Sequence, residues 1–265
     1  MKLIGNFSGK LFACVATLAL TSLFADLKAE TVQQGSAKVR QIKGSARYSA
    51  DSGAWIPLKV GTTLHPGASV QTAPESIVDL DLGENGPMIR IAPNSTVSLD
   101  KLTFAGTGID SVIETRLSVQ NGTLIGNVKK LAKASKYEIK TPNGVAGIRG
   151  TDYVVSVKKL PDGTYEVTFT DVDGTLVVVA LVNGTPETVV LNAGESWTPG
   201  SPVRPTPRDL LDFYRREIAQ LIKQIPVGLV LPGVPAAIEQ RVSPTIGAPF
   251  VPRDVPRDQN SGGKS

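Results

Sequence analysis

The sequence predicts an all-β fold of stacked short strands, in a β-roll, solenoid-like or sandwich arrangement, followed by one amphipathic helix and a proline-rich tail. Short runs with alternating apolar residues follow one another between residues 37 and 197, and Gly, Pro, Asn and Asp separate them. The composition agrees, because 26 Gly and 19 Pro stand against 7 Phe, 5 Tyr and 2 Trp. Many tight turns between short strands are therefore expected.

Residues 1–29 have the layout of a secretory signal peptide. Two lysines precede an apolar stretch over residues 11–25, and Ala25 and Ala29 offer small residues for cleavage. The stretch is shorter than the roughly 20 apolar residues of a membrane-spanning helix. We therefore expect a periplasmic or secreted bacterial protein with no membrane span after cleavage.

The composition argues against several functional classes. The chain has 28 basic and 24 acidic residues, a net charge of +4 without a basic run, so we expect no nucleic-acid binding. Cys14 is the only cysteine and lies in the signal segment, and His65 is the only histidine, placed at a strand-to-turn site. Without a recognisable nucleophile or metal motif, we expect no enzyme activity and no cofactor.

Residues 30–199 are predicted to form the β domain. Residues 76–82, 88–92 and 96–99 place apolar side chains at every second position, as strands with one buried face require. The dipeptides Asp173-Gly174 and Asn183-Gly184 are typical hairpin turns, and they predict a three-stranded meander. Its middle strand, LVVVALV, is predicted to be buried on both faces.

Residues 200–265 form a C-terminal extension in this prediction. A helix over about residues 207–225 begins with a capping hydroxyl from Thr206, followed by Pro207, and ends before Pro226. Seven prolines from Pro226 onward predict no regular structure over most of the tail. The helix has an apolar face that would dock on the β domain or contact a partner protein. This face includes Leu211, Tyr214, Ile218 and Leu221.

The segment TPNGVAGIRGTDY, residues 141–153, closely resembles the signature of the FecR-type domain, known from the periplasmic part of iron-dicitrate sensors. The matching positions include Thr141, Pro142, Gly147, Arg149, Gly150 and Thr151. The resemblance extends over residues 37–197 and implies an all-β periplasmic domain that works by protein contact and has no chemistry of its own. Family sensors also carry a cytoplasmic anti-sigma segment and a membrane helix. Because this chain begins with an apparent signal peptide, we expect an interaction or signalling scaffold with an envelope partner.

The signature allows two interpretations. Arg149 offers five donors in a fixed fork, so the segment could be a binding loop. Alternatively, Arg149 could satisfy carbonyl groups of a buried corner while Thr141 and Thr151 cap turns, and we favour this interpretation because buried polar groups need partners.

A carbohydrate- or peptidoglycan-binding envelope protein is the alternative function. Trp55, Trp197 and Tyr153 could stack on sugars, although aromatic residues this scarce are expected in the core. Asp171 and Asp173 bear a faint likeness to a calcium loop, but the further ligands are missing, and Asp-Gly is an ordinary hairpin turn.

Overall fold

The computed structural model describes residues 31–51, 53–106, 110–128 and 131–225. The predicted signal peptide and proline-rich tail, residues 1–29 and 226–265, lie outside the described residues. Strands β1 to β9 span Gln33–Gln34, Ala37–Lys43, Ala46–Ser49, Ile56–Pro57, Thr63–Leu64, Ser69–Thr72, Ile77–Asp81, Met88–Ile91 and Thr96–Ala105. Strands β10 to β18 span Val112–Val128, Lys136–Thr141, Gly144–Ile148, Thr151–Lys159, Tyr165–Asp173, Thr175–Val182, Thr185–Asn192, Glu195–Trp197 and Arg204–Pro205, and helix α1 spans Arg208–Ile222.

The strands form two curled sheets. The first sheet has the order β4–β3–β6–β9–β10–β11–β12–β15–β16. Strand β1 pairs with another part of the β9 edge that also pairs with β6. The second sheet has the order β5–β2–β7–β8–β10–β13–β14–β17–β18. Among the described strands, every neighbouring pair is antiparallel except β10 and β11.

Strand β10 belongs to both sheets. Its residues up to Asn121 pair with β9 in the first sheet, whereas Gly122 and the residues after it pair with β13 in the second. The register shifts between Val119 and Asn121, and Gly122 has φ of 87°. The chain therefore bends at the Asn121-Gly122 dipeptide and passes from one sheet to the other without a loop.

One apolar core lies between the two sheets. Val97 and Leu117 enter it from the first sheet, and Ile91 and Leu124 enter it from the second. Burial of each such side chain stabilises the fold by about 1.5–3 kcal/mol relative to exposure. The predicted all-β class with a C-terminal helix is confirmed, with the strands in curled and mostly antiparallel sheets.

Helix α1 packs on the outer face of the second sheet. Ile218 forms a second apolar cluster with Ile125, Val154 and Val172 of that sheet. Leu211, Tyr214 and Ile222 pack against this cluster, and Leu221 is fully buried. The apolar spacing of the helix is therefore satisfied within the chain. Within the described ranges, no helix is both long enough and apolar enough to cross a membrane.

A buried ionic network fastens the helix to the sheet. Arg90 of β8 donates from Nε and Nη2 to the two carboxylate oxygens of Asp79 on β7, each at 2.8 Å, and from Nη1 to Glu217 at 2.7 Å. Gln224 donates to Asp79 Oδ2 at 2.6 Å. Hydrogen bonding by Asp79 raises the pKa of Arg90 above its usual range. The bidentate pair orients both sheet residues, and their contacts with Glu217 and Gln224 fix where the helix lies.

Two local predictions were wrong. Asp173-Gly174 does not close a hairpin, because β14 lies in the second sheet and β15 pairs with β12 and β16 in the first. Asn183-Gly184 does close the predicted hairpin, between β15 and β16. Thr206 does not cap α1: Pro207 is the N-cap residue, no side chain caps it, and the Thr206 hydroxyl lies 2.6 Å from the Ser196 hydroxyl.

Candidate functional site

The signature segment begins with the hairpin of β11 and β12, which neighbouring strands hold in place. The Thr141 hydroxyl donates to the Gly144 carbonyl at 3.0 Å across the turn. The side-chain amide of Asn143 donates to the Tyr165 carbonyl at 2.9 Å, and the backbone carbonyl of Asn143 accepts from the Leu181 N–H at 3.0 Å. A Cβ at Gly144 would lie 2.7 Å from the Val179 carbonyl oxygen, so only glycine allows this approach of the strands.

The signature then turns a corner between the sheets. Arg149 and Gly150 connect β12 of the first sheet to β13 of the second. A second corner at Gly174, with φ of 127°, returns the chain to the first sheet, and a Cβ there would lie 2.7 Å from the Gly150 carbonyl oxygen. The two corners touch each other, which explains the glycine at position 174, and a φ of 96° explains the glycine at position 150.

Arg149 is exposed at this corner. Its Nη2 donates to the Lys133 carbonyl at 2.8 Å. The expected hydrogen bond to a carbonyl is present, but the side chain is exposed and not buried as the favoured interpretation required. Arg149 is thus held by one backbone contact and is also accessible to a partner.

Asp171 is a buried carboxylate beside the same corner. Its Oδ1 accepts a hydrogen bond from the Thr151 hydroxyl at 2.5 Å, and its Oδ2 has no partner within the described part of the chain. Burial raises the pKa of Asp171 from 3.8 to about 6. The described residues contain no group of three or more His, Cys, Asp or Glu that could hold a metal ion, so the calcium interpretation gains no support.

An exposed apolar surface lies on the outer face of the first sheet. The predicted burial of both faces of the LVVVALV strand was wrong: Leu176, Val178 and Ala180 point into the core, and the residues between them face outward. We call this surface the aliphatic face. It consists of Val177, Val179 and Leu181 of β15 with Val190 of β16, exposed by 38%, 44%, 59% and 52%.

The signature strand continues the aliphatic face. Val145 lies directly opposite Val179 and Gly147 lies opposite Val177, so both share the outward side of the sheet. Lys140 on β11 and Thr188 on β16 complete the row through Val145 and Val179. The face therefore has an aliphatic centre with polar neighbours, and it adjoins the segment that carries the resemblance.

The helix residues predicted to contact a partner protein pack against the β domain of the same chain. Ile218 and Leu221 are buried, and Leu211 and Tyr214 are half-buried against the second sheet. The exposed apolar side chains of the helix are Leu210 and Phe213 instead.

Only one of the three aromatic residues considered for sugar stacking is accessible. Trp197 and Tyr153 are buried, and the Tyr153 hydroxyl lies 3.2 Å from that of Tyr137. Trp55 is 39% exposed, and the guanidinium carbon of Arg47 lies 5.1 Å from its ring centre. Trp55 borders an open groove of about 580 Å³, the Trp55 groove, between β3, β4 and the segment that follows β6.

Sequence reasoning missed the aliphatic face and the Trp55 groove. An aliphatic residue at every position of β15 hides the alternation that would reveal an exposed side. The available signal for the groove was Trp55 two residues before Pro57, because a proline restricts a strand to the edge of a sheet, where little covers a large ring.

The fold and the corner define an all-β domain whose two sheets share strand β10. Residues 68–185 match the family model described as FecR protein. This match covers 118 of the 265 residues, includes the signature segment, and confirms its resemblance to the FecR family.

One solved structure, a candidate anti-sigma factor from Parabacteroides distasonis, is similar at a TM-score of 0.42 with 8% sequence identity. The match covers 56% of this chain and 64% of the other, less than two thirds of its length. No curated protein matches the sequence.

Proposed function

We propose that this chain is an exported, non-enzymatic FecR-domain protein that binds a protein of the cell envelope through the aliphatic face. The observation that carries this proposal is the side-by-side exposure of Val177, Val179, Leu181 and Val190. Residues 1–29, with the layout of a signal peptide, support export.

The physical argument is the removal of apolar surface from water. A sheet face that presents four neighbouring aliphatic side chains gains free energy when a complementary surface covers it, by about 25 cal/mol for each Å² buried. Lys140 and Thr188 lie on the same side of the sheet and supply polar groups beside the aliphatic centre. An apolar centre with a polar rim is the usual anatomy of a protein interface.

The side chains of the described residues support the non-enzymatic part of the proposal. His65 is exposed at a turn, and the described residues contain no cluster that could hold a metal ion. Asp171 is buried, with the Thr151 hydroxyl as its hydrogen-bond donor, so a substrate could not reach it. These features favour a role in binding.

Site-specific photocrosslinking in intact cells of the native source tests the proposal. A photoreactive residue at Val179 should capture a defined envelope protein, and one at Arg149 should capture the same protein if the corner takes part. Lys158, exposed on the second sheet, is the matched control position and should not capture it. Equal capture from Val179 and Lys158, or none from Val179, would refute the proposed interface.

Export is tested separately by cell fractionation. When the full-length gene is expressed, the protein should appear outside the cytoplasm, shortened by cleavage after Ala25 or Ala29. Deletion of residues 1–29 should keep the protein in the cytoplasm. A full-length cytoplasmic protein would contradict export.

Glycan binding remains a second candidate function, and the exposure of Trp55 is the observation that favours it. With Trp197 and Tyr153 buried, retention on cell-wall glycan should be lost on Trp55→Ala substitution and kept on Val179→Lys substitution. If both variants are still retained on the glycan, the Trp55 groove is not the glycan-binding site.

A further inference from the structure

Strand β16 is a long strand at one end of the first sheet. It spans eight residues, Thr185–Asn192, and among the described strands it pairs with β15 alone. Strands β4, β5 and β18, at the other three ends of the two sheets, have two residues each. A long edge strand presents a row of backbone N–H and C=O groups to which a further strand can pair. We call this row the β16 edge.

The register of the hairpin shows which backbone groups point to the β16 edge. The N–H of Leu181 donates to the Asn143 carbonyl on the β12 side of β15, so Leu181 and its partner Pro186 exchange no hydrogen bonds. Such pairs alternate with hydrogen-bonded pairs along an antiparallel ladder. Thr188 and Val190 therefore belong to pairs of the same kind, and their N–H and C=O groups point away from β15.

The free donors of the β16 edge lie in its middle. Pro186 has no N–H group, and the N–H of Asn192 donates to Glu195 Oε2 at 2.8 Å. The N–H groups of Thr188 and Val190 have no acceptor within the described part of the chain. The edge thus offers two free donors, flanked at each end by a carbonyl oxygen without a neighbouring free donor.

The same residues border the aliphatic face. Thr188 lies opposite Val179 and Val190 lies opposite Val177, so all four side chains are on the outward side of the sheet. A strand added at the β16 edge would place every second side chain next to Thr188 and Val190 on that side. Such a strand would gain backbone hydrogen bonds and bury apolar surface at the same time.

The backbone groups of the edge favour a strand from a different protein over a second copy of β16. A partner strand with free N–H groups can donate to the carbonyls of Pro186 and Asn192 and also pair with Thr188 and Val190. A second copy of β16 lacks free N–H groups at the same two end positions. Two copies paired edge to edge would therefore form fewer hydrogen bonds.

We propose that the envelope partner binds by adding an extended strand to the β16 edge, with aliphatic side chains at alternate positions that continue the aliphatic face. This inference rests on the proposed function, because both use the same face, and it adds the conformation and chemistry of the bound segment. The segment has no proline opposite Thr188 or Val190, since its own N–H groups are needed there.

A proline substitution tests the edge. Thr188→Pro removes one free N–H and places a ring where the added strand would lie. The ladder between β15 and β16 should remain, because the Thr188 N–H makes no bond to β15 and Pro186 already occupies the equivalent position two residues earlier. Thr188→Ala is the matched variant, since it removes the same hydroxyl and keeps the N–H.

The readout is photocrosslinking of the full chain in intact cells of the native source, with the photoreactive residue at Val177. Thr188→Pro should capture the partner about tenfold less than Thr188→Ala, because a hydrogen bond is lost and the ring obstructs the strand. Urea unfolding of the two purified variants should give similar midpoints. Equal capture by the two variants would overturn strand addition.

Val179→Lys separates this failure from a failure of the proposed function. If Val179→Lys abolishes capture while the two Thr188 variants capture equally, the aliphatic face is the interface and the added strand is wrong. If Val179→Lys leaves capture unchanged, the proposed function is wrong, and the added strand with it.

Amide hydrogen exchange of the purified full chain gives a readout that holds even if Thr188→Pro proves unstable. In the wild type, the amides of Thr188 and Val190 should exchange at least about tenfold faster than those of Glu187 and Val189, which donate to β15. Slow exchange at all four amides would show that the edge is already covered, by the same chain or by a second copy, and would refute an edge open to a partner.

Discussion

Arg90 and Asp79 form a two-pronged ion pair, with both nitrogen–oxygen distances at 2.8 Å, beneath helix α1. The side chain of Arg90 is 6% exposed and that of Asp79 is fully buried. In the C-terminal extension, Glu217 accepts a hydrogen bond from Arg90 and Gln224 donates one to Asp79. The ionic contact therefore joins the β domain to the extension, and its loss should affect both.

The first prediction concerns this network. Arg90→Met should lower the free energy of unfolding by about 3–5 kcal/mol, because Asp79 would be left as a buried charge without its cationic partner and the partly exposed Glu217 would lose its own. Urea denaturation measures the change. Lys101→Met, which removes the half-exposed pair with Glu114, should cost less than about 1 kcal/mol. Similar losses for the two variants would show that burial does not govern the Arg90 network.

The second prediction concerns the pH dependence of stability. The pKa of Asp171 is about 6 in the folded chain, against an ordinary value of 3.8. Because the folded value is the higher one, the protonated group stabilises the fold fully below pH 3.8, and this contribution is lost as pH rises through 6. The loss amounts to about 3 kcal/mol at 1.36 kcal/mol per unit of pKa.

Asp171→Asn tests this dependence. The free energy of unfolding of the wild type minus that of the variant should fall by about 3 kcal/mol between pH 3.5 and pH 8. Taking this difference removes the contribution of carboxylates that do not interact with Asp171, whereas the charges of Asp152 and Asp173, which raise its pKa, belong to the effect being measured. A constant difference would mean that Asp171 does not titrate in this range.

The third prediction separates two glycines of the signature. Gly144→Ala should destabilise the fold by about 1–3 kcal/mol, because its Cβ would meet backbone of β15 that cannot move aside. A Cβ at Gly147 would meet its nearest atom, the Val177 carbonyl oxygen, at 3.7 Å, an ordinary contact. Thermal or urea unfolding should therefore find Gly147→Ala close to wild type. A large loss at Gly147 would contradict this assignment.

The fourth prediction concerns the aliphatic face. Val179→Lys should change the free energy of unfolding by less than about 0.5 kcal/mol, because the side chain is exposed. The same substitution should abolish capture of the partner from a photoreactive residue at Val177. Val178→Lys is the contrasting variant, since Val178 is fully buried and a charge there should prevent folding. Unchanged capture by Val179→Lys would remove the face from the interface.

Sequence patterns predicted the elements better than their pairing. The spacing of Leu211, Ile218 and Leu221 predicted a helix that docks, because helical periodicity fixes which side chains share a face. Asp173-Gly174 has the local chemistry of a hairpin turn, but that chemistry does not determine which strand the chain meets next. The direction of the chain after Gly174 depends instead on its contact with Gly150, a residue 24 positions earlier in the sequence.

The site was less predictable for a related reason. The TPNGVAGIRGT motif gave the family, yet the exposure of Arg149 depends on which elements cover the corner. Trp55 was expected in the core because large apolar side chains are usually buried. Trp55 is exposed because it lies next to β4, an edge strand that pairs with β3 alone among the described strands.

Strand β10 is one run of 17 residues, of which those up to Asn121 pair in the first sheet and those from Gly122 onward pair in the second. The two ladders meet at the Asn121-Gly122 bend without an intervening loop, so displacement of either half of the strand pulls directly on the other. We therefore expect the two layers to unfold together. The domain should resist proteases and mechanical tension as one unit, and its loss of structure should follow a single transition.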